Sequence, residues 1–576
     1  MRILTKRRSF DHQNEFLINH IIKIYFALFW DMGTGKTKVA FDKASYLFRQ
    51  GLIDAMILIA PNNIYKEHVT DESKNDISVP YDSAFWSSVL RKKDQKNLED
   101  FFDLSSNNKK RKLKLLGANT DALRFSPKHK APNRAFNLLS SFIQSRRVFV
   151  VIDEATDFKN YTSQRTKGLL KIAPYCEYRM IMDGTPITQG PSDIYAPFEF
   201  LKPGLLGYTD FNAFQARYEV LINPQLKGFL TELMIRGESR PDFIQESLYF
   251  ANWIYQLKTN NVKISAQKLH EELPPRHYSK VNQILSLVHR TKAFKVGYRN
   301  IEELSKKIKP YSSRILKIDC LDLPEKLKEN VHYELSGEYK KYYNDMVDLL
   351  RTQIILKQQE EIEYNKLSSE EKEESTFEEM TVSNVLVLYM RLQQILEGFY
   401  VSDDEPDIAK QLPGENPRLT LLMELMKKIN KDYKVIIWSR FKKGIELINR
   451  SIQAEYGQDS SIMYYGGVSK KEREENKERF KTDPACRYWV GNTKTGGMSE
   501  NLQVANYMIN YSRDFSLRYD LQSQDRIYRS GQTKNCTILS IICRATIDVK
   551  INQSLNNKQG IADYITGDYL RLLEVV

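Results

Sequence analysis

Residues 25–37 read YFALFWDMGTGKT: an apolar run joined directly to a glycine loop that ends in Lys-Thr. The run reads as a buried strand. A glycine loop at its carboxyl end turns successive backbone N–H groups toward a phosphate and opens a helix. Gly33 and Gly35 let the backbone approach closely, Thr34 lies between them, Lys36 places an ammonium on the phosphates, and the Thr37 hydroxyl is offered to magnesium. The strict eight-residue phosphate-loop pattern wants glycine where Trp30 stands. Such a loop belongs at the end of a strand in a covered sheet, and the flanking sequence supplies one.

Buried-strand patterns follow at 55–60 (AMILIA), 114–116, 148–152 (VFVVI) and 179–182, each separated by enough chain for a crossover helix. That rhythm predicts a parallel sheet covered on both faces. From about Phe211 to Ser305 the periodicity turns helical. VHYEL at 331–335 opens a second unit, long helices follow, and the α/β rhythm returns at 434–439 (KVIIWS), 462–465, 487–490, 507–511 and 537–542. The expected fold class is α/β. The expected division is 1–210 for a first lobe, 211–310 for a helical insertion or linker, and 311–576 for a second lobe with a helical insertion about 338–400. The glutamate-dense stretch 360–379 reads as a solvated helix face or loop.

A hydrophobic share of 41% in 576 residues excludes a wholly disordered chain. The surplus of 86 Lys+Arg over 73 Asp+Glu, +13, suggests an anionic partner. The basic run KKRKLK (109–114) reads as a solvated loop leading into a strand, with grazing contact to a polyanion as the other reading. Five cysteines without a CxxC pair argue against a disulfide scaffold or a structural zinc site. The basic amino terminus lacks the apolar core of a leader, and no run of about 20 apolar residues occurs, so a soluble intracellular protein is expected. Trp86, Trp253, Trp438 and Trp489 read as core or lobe-packing residues.

The chemistry is carried by short stretches in a fixed order. Asp153-Glu154-Ala155-Thr156 follows VFVVI. Carboxylates at the end of a neighbouring parallel strand are where a metal must be held, so Asp153 is the expected magnesium ligand and Glu154 the group that orients the attacking water. Gln13, some twenty residues before Lys36, has the donor and acceptor needed to read adenine. Asp183-Gly184-Thr185-Pro186 forms a turn where Thr185 links nucleotide state to the facing domain. In QSQDRIYR (522–529), Arg526 and Arg529 are expected on one helical face, reaching toward a γ-phosphate.

DHQ (11–13), DMGTGKT (31–37), DEAT (153–156), DGTPI (183–187) and QSQDRIYRSGQ (522–532) appear in the order used by superfamily-two helicases, and the chain resembles the Swi/Snf-type DNA translocases. FKNYTSQR (158–165), DLPE (322–325), MRLQQI (390–395), YYGGVSKKER (464–473), GGMSENLQVANYMINYS (496–512) and ATIDVKI (545–551) extend the resemblance nearly end to end. It implies two RecA-like parallel-sheet lobes and an ATP- and Mg2+-using, nucleic-acid-dependent ATPase. Lys36, Thr37, Asp153 and Glu154 would come from one lobe and Gln522, Arg526 and Arg529 from the other. It also implies movement on double-stranded DNA, held by its phosphates through Asn62, Asn63, Asn119, Thr120, Arg440 and Asn501. Three positions depart from the family: Thr156 for His, Asp183 for Thr or Ser, and Ser499 for Gly. The first two touch coupling rather than hydrolysis.

The leading expectation is therefore an ATP-driven duplex translocase, monomeric and cytoplasmic, without the appended modules of larger relatives. Its alternatives are a strand-separating helicase on forked DNA or RNA, and a poorly hydrolysing ATP-controlled clamp. The abundance of Lys, Asn and Ile suggests a bacteriophage or mobile-element origin, hence a host cytoplasm.

Overall fold

The structure is a computed structural model and describes residues 4–62, 64–86, 98, 101–102, 111–124, 134–222, 294–349, 352, 382–401, 408–496 and 501–566. The chain divides into two compact units, residues 1–320 with 558–576, and 321–557.

In the first unit the described strands are β1 (Tyr25–Trp30), β2 (Ala55–Ala60), β3 (Tyr81–Trp86), β4 (Leu113–Asn119), β5 (Val148–Asp153), β6 (Tyr178–Met182), β7 (Glu219–Ile222), β8 (Phe294–Tyr298) and β9 (Ser312–Ile315). Seven of them form one sheet in the order β3-β4-β2-β5-β6-β1-β9, with every pairing parallel. Alternate side chains along each strand feed different cores. Ala27 and Phe29 join Ile57 and Ile59 on one face, whereas Phe26, Leu28 and Trp30 join Met56 and Leu58 on the other. Period-two burial on both faces is why these strands read as continuous apolar runs. The expected doubly covered parallel sheet is thus present.

Two edge strands, β3 and β9, have no counterpart in the apolar pattern. SSRI is polar, YDSAFW breaks its aromatics with Asp82 and Ser83, and apart from the buried Trp86 both are at most partly buried; they form because β4 and β1 each offer an unpaired ladder. Through β9 the first unit reaches Cys320, about ten residues beyond where the sequence pattern opens the second. Of the helical stretch expected between 211 and 305, the described parts are the helices Phe211–Tyr218 and Ile301–Ile308 flanking an antiparallel pair, β7 with β8. Residues 223–293, including Trp253, and the acidic stretch 360–379 lie outside the described residues.

The second unit contains β10 (Lys326–Tyr333), β11 (Phe399–Val401), β12 (Ala409–Gln411), β13 (Val435–Trp438), β14 (Ser461–Tyr464), β15 (Tyr488–Gly491), β16 (Tyr507–Asn510) and β17 (Cys536–Cys543). Six of these form a second all-parallel sheet, β10-β17-β16-β13-β15-β14. Val435 and Ile437 feed one core, Ile436 and Trp438 the other. Trp86, Trp438 and Trp489 are fully buried in the cores, as their settings suggested. No described helix is long and apolar enough to cross a membrane.

Candidate nucleotide site

Parallel strands place every loop that follows them on one edge of the sheet, which is where α/β proteins bind ligands. In the first unit that edge collects the loop after β1, the segment after β2, Asn119 at the end of β4, and the loops after β5 and β6.

The loop after β1 holds a shape only glycine tolerates. Gly33 and Gly35 have φ of +85° and +86°, and a Cβ on Gly35 would stand 2.1 Å from Nε2 of Gln13. Gln13 is itself buried: its Nε2 donates to Thr34 O at 2.9 Å, while its Oε1 accepts from Phe10 N at 3.0 Å. Of the amide expected to read adenine, the nitrogen therefore braces the phosphate loop and the oxygen caps the helix Asp11–His20. His12 Nε2 meets the same Thr34 carbonyl at 2.9 Å. Lys36 opens the helix Lys36–Arg49, with Thr37 beside it in the first turn. The Lys36 ammonium folds back to Trp30 O at 2.7 Å and Asp31 O at 3.2 Å, lining the cradle that a phosphate would enter. Trp30, where the strict pattern has glycine, turns its indole into the core and donates to Ser313 Oγ on β9 at 3.0 Å. Asp31 is tied to the same edge through Arg314 at 3.0 Å and the Lys317 amide at 3.1 Å.

Asp153 ends β5 next to this loop, and Glu154 follows with φ +55°, a left-handed conformation that is strained for a side chain with a Cβ. Strain of this kind persists where the surroundings hold it, and here both carboxylates are buried. Sequence reasoning did not find the partner of Asp153. His68, after β2, donates from Nε2 to Asp153 Oδ2 at 3.0 Å and from Nδ1 to Glu72 Oε2 at 2.7 Å. Burial alone would lower the pKa of this imidazole, but the two carboxylate contacts outweigh burial and raise it to about 10. Burial pushes Asp153 the other way, yet His68 and Lys36 bring its carboxyl below the ordinary value. A buried imidazole between two carboxylates leaves no signal in a lone sequence.

Among the described residues no group of three or more His, Cys, Asp or Glu is set to hold a metal. What the edge offers is the Thr37 hydroxyl and the acidic pair Asp153 and Glu154, of which Asp153 is the one expected to bind the ion. Hard oxygen donors in that small number fit Mg2+ completed by phosphates and water, and not a soft metal enclosed by protein.

The loops after β5 and β6 are joined by the two departures noted above. Asp183 Oδ2 accepts from Thr156 N at 2.7 Å and from the Thr156 hydroxyl, while its Oδ1 accepts from Thr185 N at 2.7 Å. The Thr156 hydroxyl also reaches Thr185 O at 3.1 Å.

In the second unit the helix Leu517–Gln524 stops before the two arginines: Asp525 caps it at ψ −6°, and the Arg526 and Ile527 amides turn back only three residues, to Ser523 O and Gln524 O. Arg526 and Arg529 therefore lie in successive turns, not on one helical face as expected. Arg526 is buried, with Nε on Gln522 O at 3.2 Å; Gln522 is buried as well, and Arg529 is half-buried. Arg440, after β13, bonds Gln393 through its guanidinium and Ser512 Oγ through its amide.

The remaining polar residues separate by exposure. Asn62 and Asn501 are exposed. Asn119 and Thr120 are buried: Asn119 caps the turn Thr120–Leu123 and donates to Asn62 Oδ1 at 2.5 Å. Asn63 and Ser499 lie outside the described residues. Of the basic run 109–114, Arg111 bonds Ile53 O and Asp54, and Lys112 and Lys114 both pair with Asp82.

Comparison with known proteins decides the family. The SNF2-related domain matches residues 137–401, and the helicase conserved C-terminal domain matches 417–531. The chain belongs to the SNF2-related branch of superfamily-two helicases. The chain is 24% identical over 440 residues to the ATP-dependent helicase FUN30 of Saccharomyces cerevisiae, covering 74% of this chain and 36% of that protein. Against the TATA-binding protein-associated factor mot1 of Schizosaccharomyces pombe it is 23% identical over 450 residues, 72% of this chain and 20% of that protein. Against the putative helicase/translocase YwqA of Bacillus subtilis it is 28% identical over 282 residues, 46% and 27%. The chain thus spans only about a fifth to a third of the length of these relatives. The solved SWI2/SNF2 ATPase core of Sulfolobus solfataricus with dsDNA aligns over 100% of this chain and 97% of its own, at 19% identity and a TM-score of 0.34. The phosphate loop precedes the SNF2-related match, so its reading rests on its own residues. Within this SNF2-related chain, Thr156 and Asp183 are not two independent losses: each departure is the other's hydrogen-bond partner.

Proposed function

We propose that this chain is an ATP-driven motor that moves along double-stranded DNA. The observation that carries the reading is the gathering, at one sheet edge of an SNF2-related unit, of a glycine cradle with Lys36 and an acidic pair, Asp153 and the left-handed Glu154. Gly33, Thr34, Gly35 and Lys36 receive the phosphates, and Gln13 serves nucleotide binding by holding the cradle from behind. Thr37 and Asp153 hold magnesium, which neutralises phosphate charge when bound. Glu154 orients water for attack on the γ-phosphorus. Gln522, Arg526 and Arg529 act on the same nucleotide from the second unit, a contribution of about 10³–10⁵ in rate where arginine fingers operate. Thr185 and its neighbours relay nucleotide state to the DNA grip.

That grip is on phosphates, so it tolerates any sequence and weakens steeply with salt. The exposed Asn62 and Asn501 make the direct contacts, Asn119 and Thr120 set the Asn62 loop, and Arg440 and Asn63 complete the set. The chain works as a monomer.

The test is phosphate release with duplex, single-stranded and forked DNA and with RNA at two salt concentrations, beside triplex-displacement and strand-displacement assays. Duplex-stimulated turnover that ejects a triplex strand without unwinding is expected, with Lys36→Ala and Glu154→Gln lower by at least about a hundred-fold. Unwinding of forks would replace the reading with a strand-separating helicase. Equal low turnover in wild type and Glu154→Gln would replace it with a clamp.

A further inference from the structure

The segment after β2 contains a five-residue π-helical turn, His68–Glu72, set between the helical turns Tyr65–Glu67 and Ser73–Asp76. Ser73 N reaches back to His68 O across the widened turn. Such turns are rare and cluster at functional sites. Because β2 and β5 are neighbours in the sheet, the turn lies beside the end of β5 and brings the His68 ring onto Asp153.

Both ring nitrogens face carboxylate oxygens, Nε2 toward Asp153 at 3.0 Å and Nδ1 toward Glu72 at 2.7 Å. Ionised carboxylates only accept, so both nitrogens are donors and the ring has no freedom to flip. The imidazole is buried while the Glu72 side chain is 40% exposed, so the row Glu72–His68–Asp153 runs from solvent to the acidic pair. A carboxylate that binds metal works best when one oxygen is already committed, because its rotamer is then set before the ion arrives.

We propose that His68, backed by Glu72, is a positioning residue for the metal side of the nucleotide site: by holding Asp153 through Oδ2 it fixes the carboxylate in the orientation that serves the ion. The inference rests on the reading of the site as an ATP–magnesium site. It adds a residue that the phosphate loop and acidic box do not name, and it assigns the π turn a task.

The test titrates Mg2+ against binding of a fluorescent ATP analogue, at one pH, with parallel titrations in EDTA. In His68→Phe, which keeps the bulk and removes both donors, the Mg2+ midpoint should rise about 10- to 100-fold. His68→Gln, which restores a donor near the Nε2 position, should return it to within about three-fold of wild type. Binding in EDTA should stay within about two-fold throughout, which a merely structural role would not give. If His68→Phe fails to fold, Glu72→Gln at its exposed position still reads the row, with a rise of about three-fold or more expected. The proposal is overturned if the midpoints of the folded variants match wild type, or if affinity in EDTA falls by the same factor as affinity in Mg2+. Wild type that binds no nucleotide in Mg2+ would instead refute the nucleotide site itself, an outcome separate from both.

Discussion

Removing the Asp183 carboxylate with Asp183→Ala strips the acceptor from three donors at once: the amides of Thr156 and Thr185, each at 2.7 Å, and the Thr156 hydroxyl. Asp183 is 1% exposed and Thr156 3% exposed, so the donors are left in a largely dry site. Each unpaired buried group costs about 1–3 kcal/mol. Water entering the vacated space satisfies part of this, so a loss of about 3–5 kcal/mol is expected. Thr156→Val removes the hydroxyl alone and keeps the amide bond, at about 1.5–3 kcal/mol for a bond to a carboxylate. Both variants delete the same hydroxyl–carboxylate contact, so the double variant should cost less than the sum by about 1.5–3 kcal/mol. Calorimetric unfolding of the first unit reads this as a drop in Tm of about 6 °C or more for Asp183→Ala, at roughly 2–4 °C per kcal/mol. Costs that add within about 0.5 kcal/mol would refute the pairing. The same variants test function: each single change should reduce stimulation of ATP turnover by DNA while KM for ATP stays within about three-fold, since the phosphate cradle is untouched. Loss of ATP affinity with stimulation intact would refute the assignment of this pair to coupling.

Two further expectations concern buried charges outside the chemistry. Lys43 donates to the carbonyls of His20 and Lys23 near the end of the helix Asp11–His20, and burial lowers its pKa from 10.5 to about 7. The depressed value makes the ammonium a liability that is fully present below pH 7 and gone above 10.5. The stability advantage of Lys43→Met should therefore shrink by about 1.4 kcal/mol per pH unit across that window, and an advantage that is flat from pH 7 to 10 would refute it. In the second unit Glu397 accepts from Ser439 Oγ at 2.8 Å and from Ser512 Oγ, joining the ends of β13 and β16, and burial raises its pKa from 4.5 to about 7 despite those bonds. Its ionisation costs nothing below pH 4.5 and its full penalty above 7, so Glu397→Gln should gain stability as pH rises through this range, to about 3 kcal/mol. A gain that is equal at pH 4.5 and 8 would contradict it.

Much of the architecture was legible because burial on both faces of a parallel sheet forces nearly unbroken apolar runs. AMILIA and VFVVI could hardly be anything but central strands, and the residues after them fall at the ligand-binding edge as a consequence. The two edge strands of the first sheet carry no such mark. Tyr81–Trp86 and Ser312–Ile315 have one side open to solvent, so neither is an unbroken apolar run, and neighbouring ladders select them.

The candidate site divides along the same line. Gly33, Gly35, Lys36, Asp153 and Glu154 are readable from letters because phosphate and metal chemistry demands those residue types immediately after a strand. That Gln13 braces the loop from behind, that Arg526 and Arg529 lie in turns past a helix end, and that His68 stands against Asp153 are facts of long-range packing. So is the exchange at 156 and 183, which looks like two separate defects until β5 and β6 are laid side by side and a hydroxyl meets a carboxylate. A local motif is dictated by what one short segment must bind, whereas a hydrogen bond between residues 85 or 27 positions apart exists only once the sheet has brought the strands together.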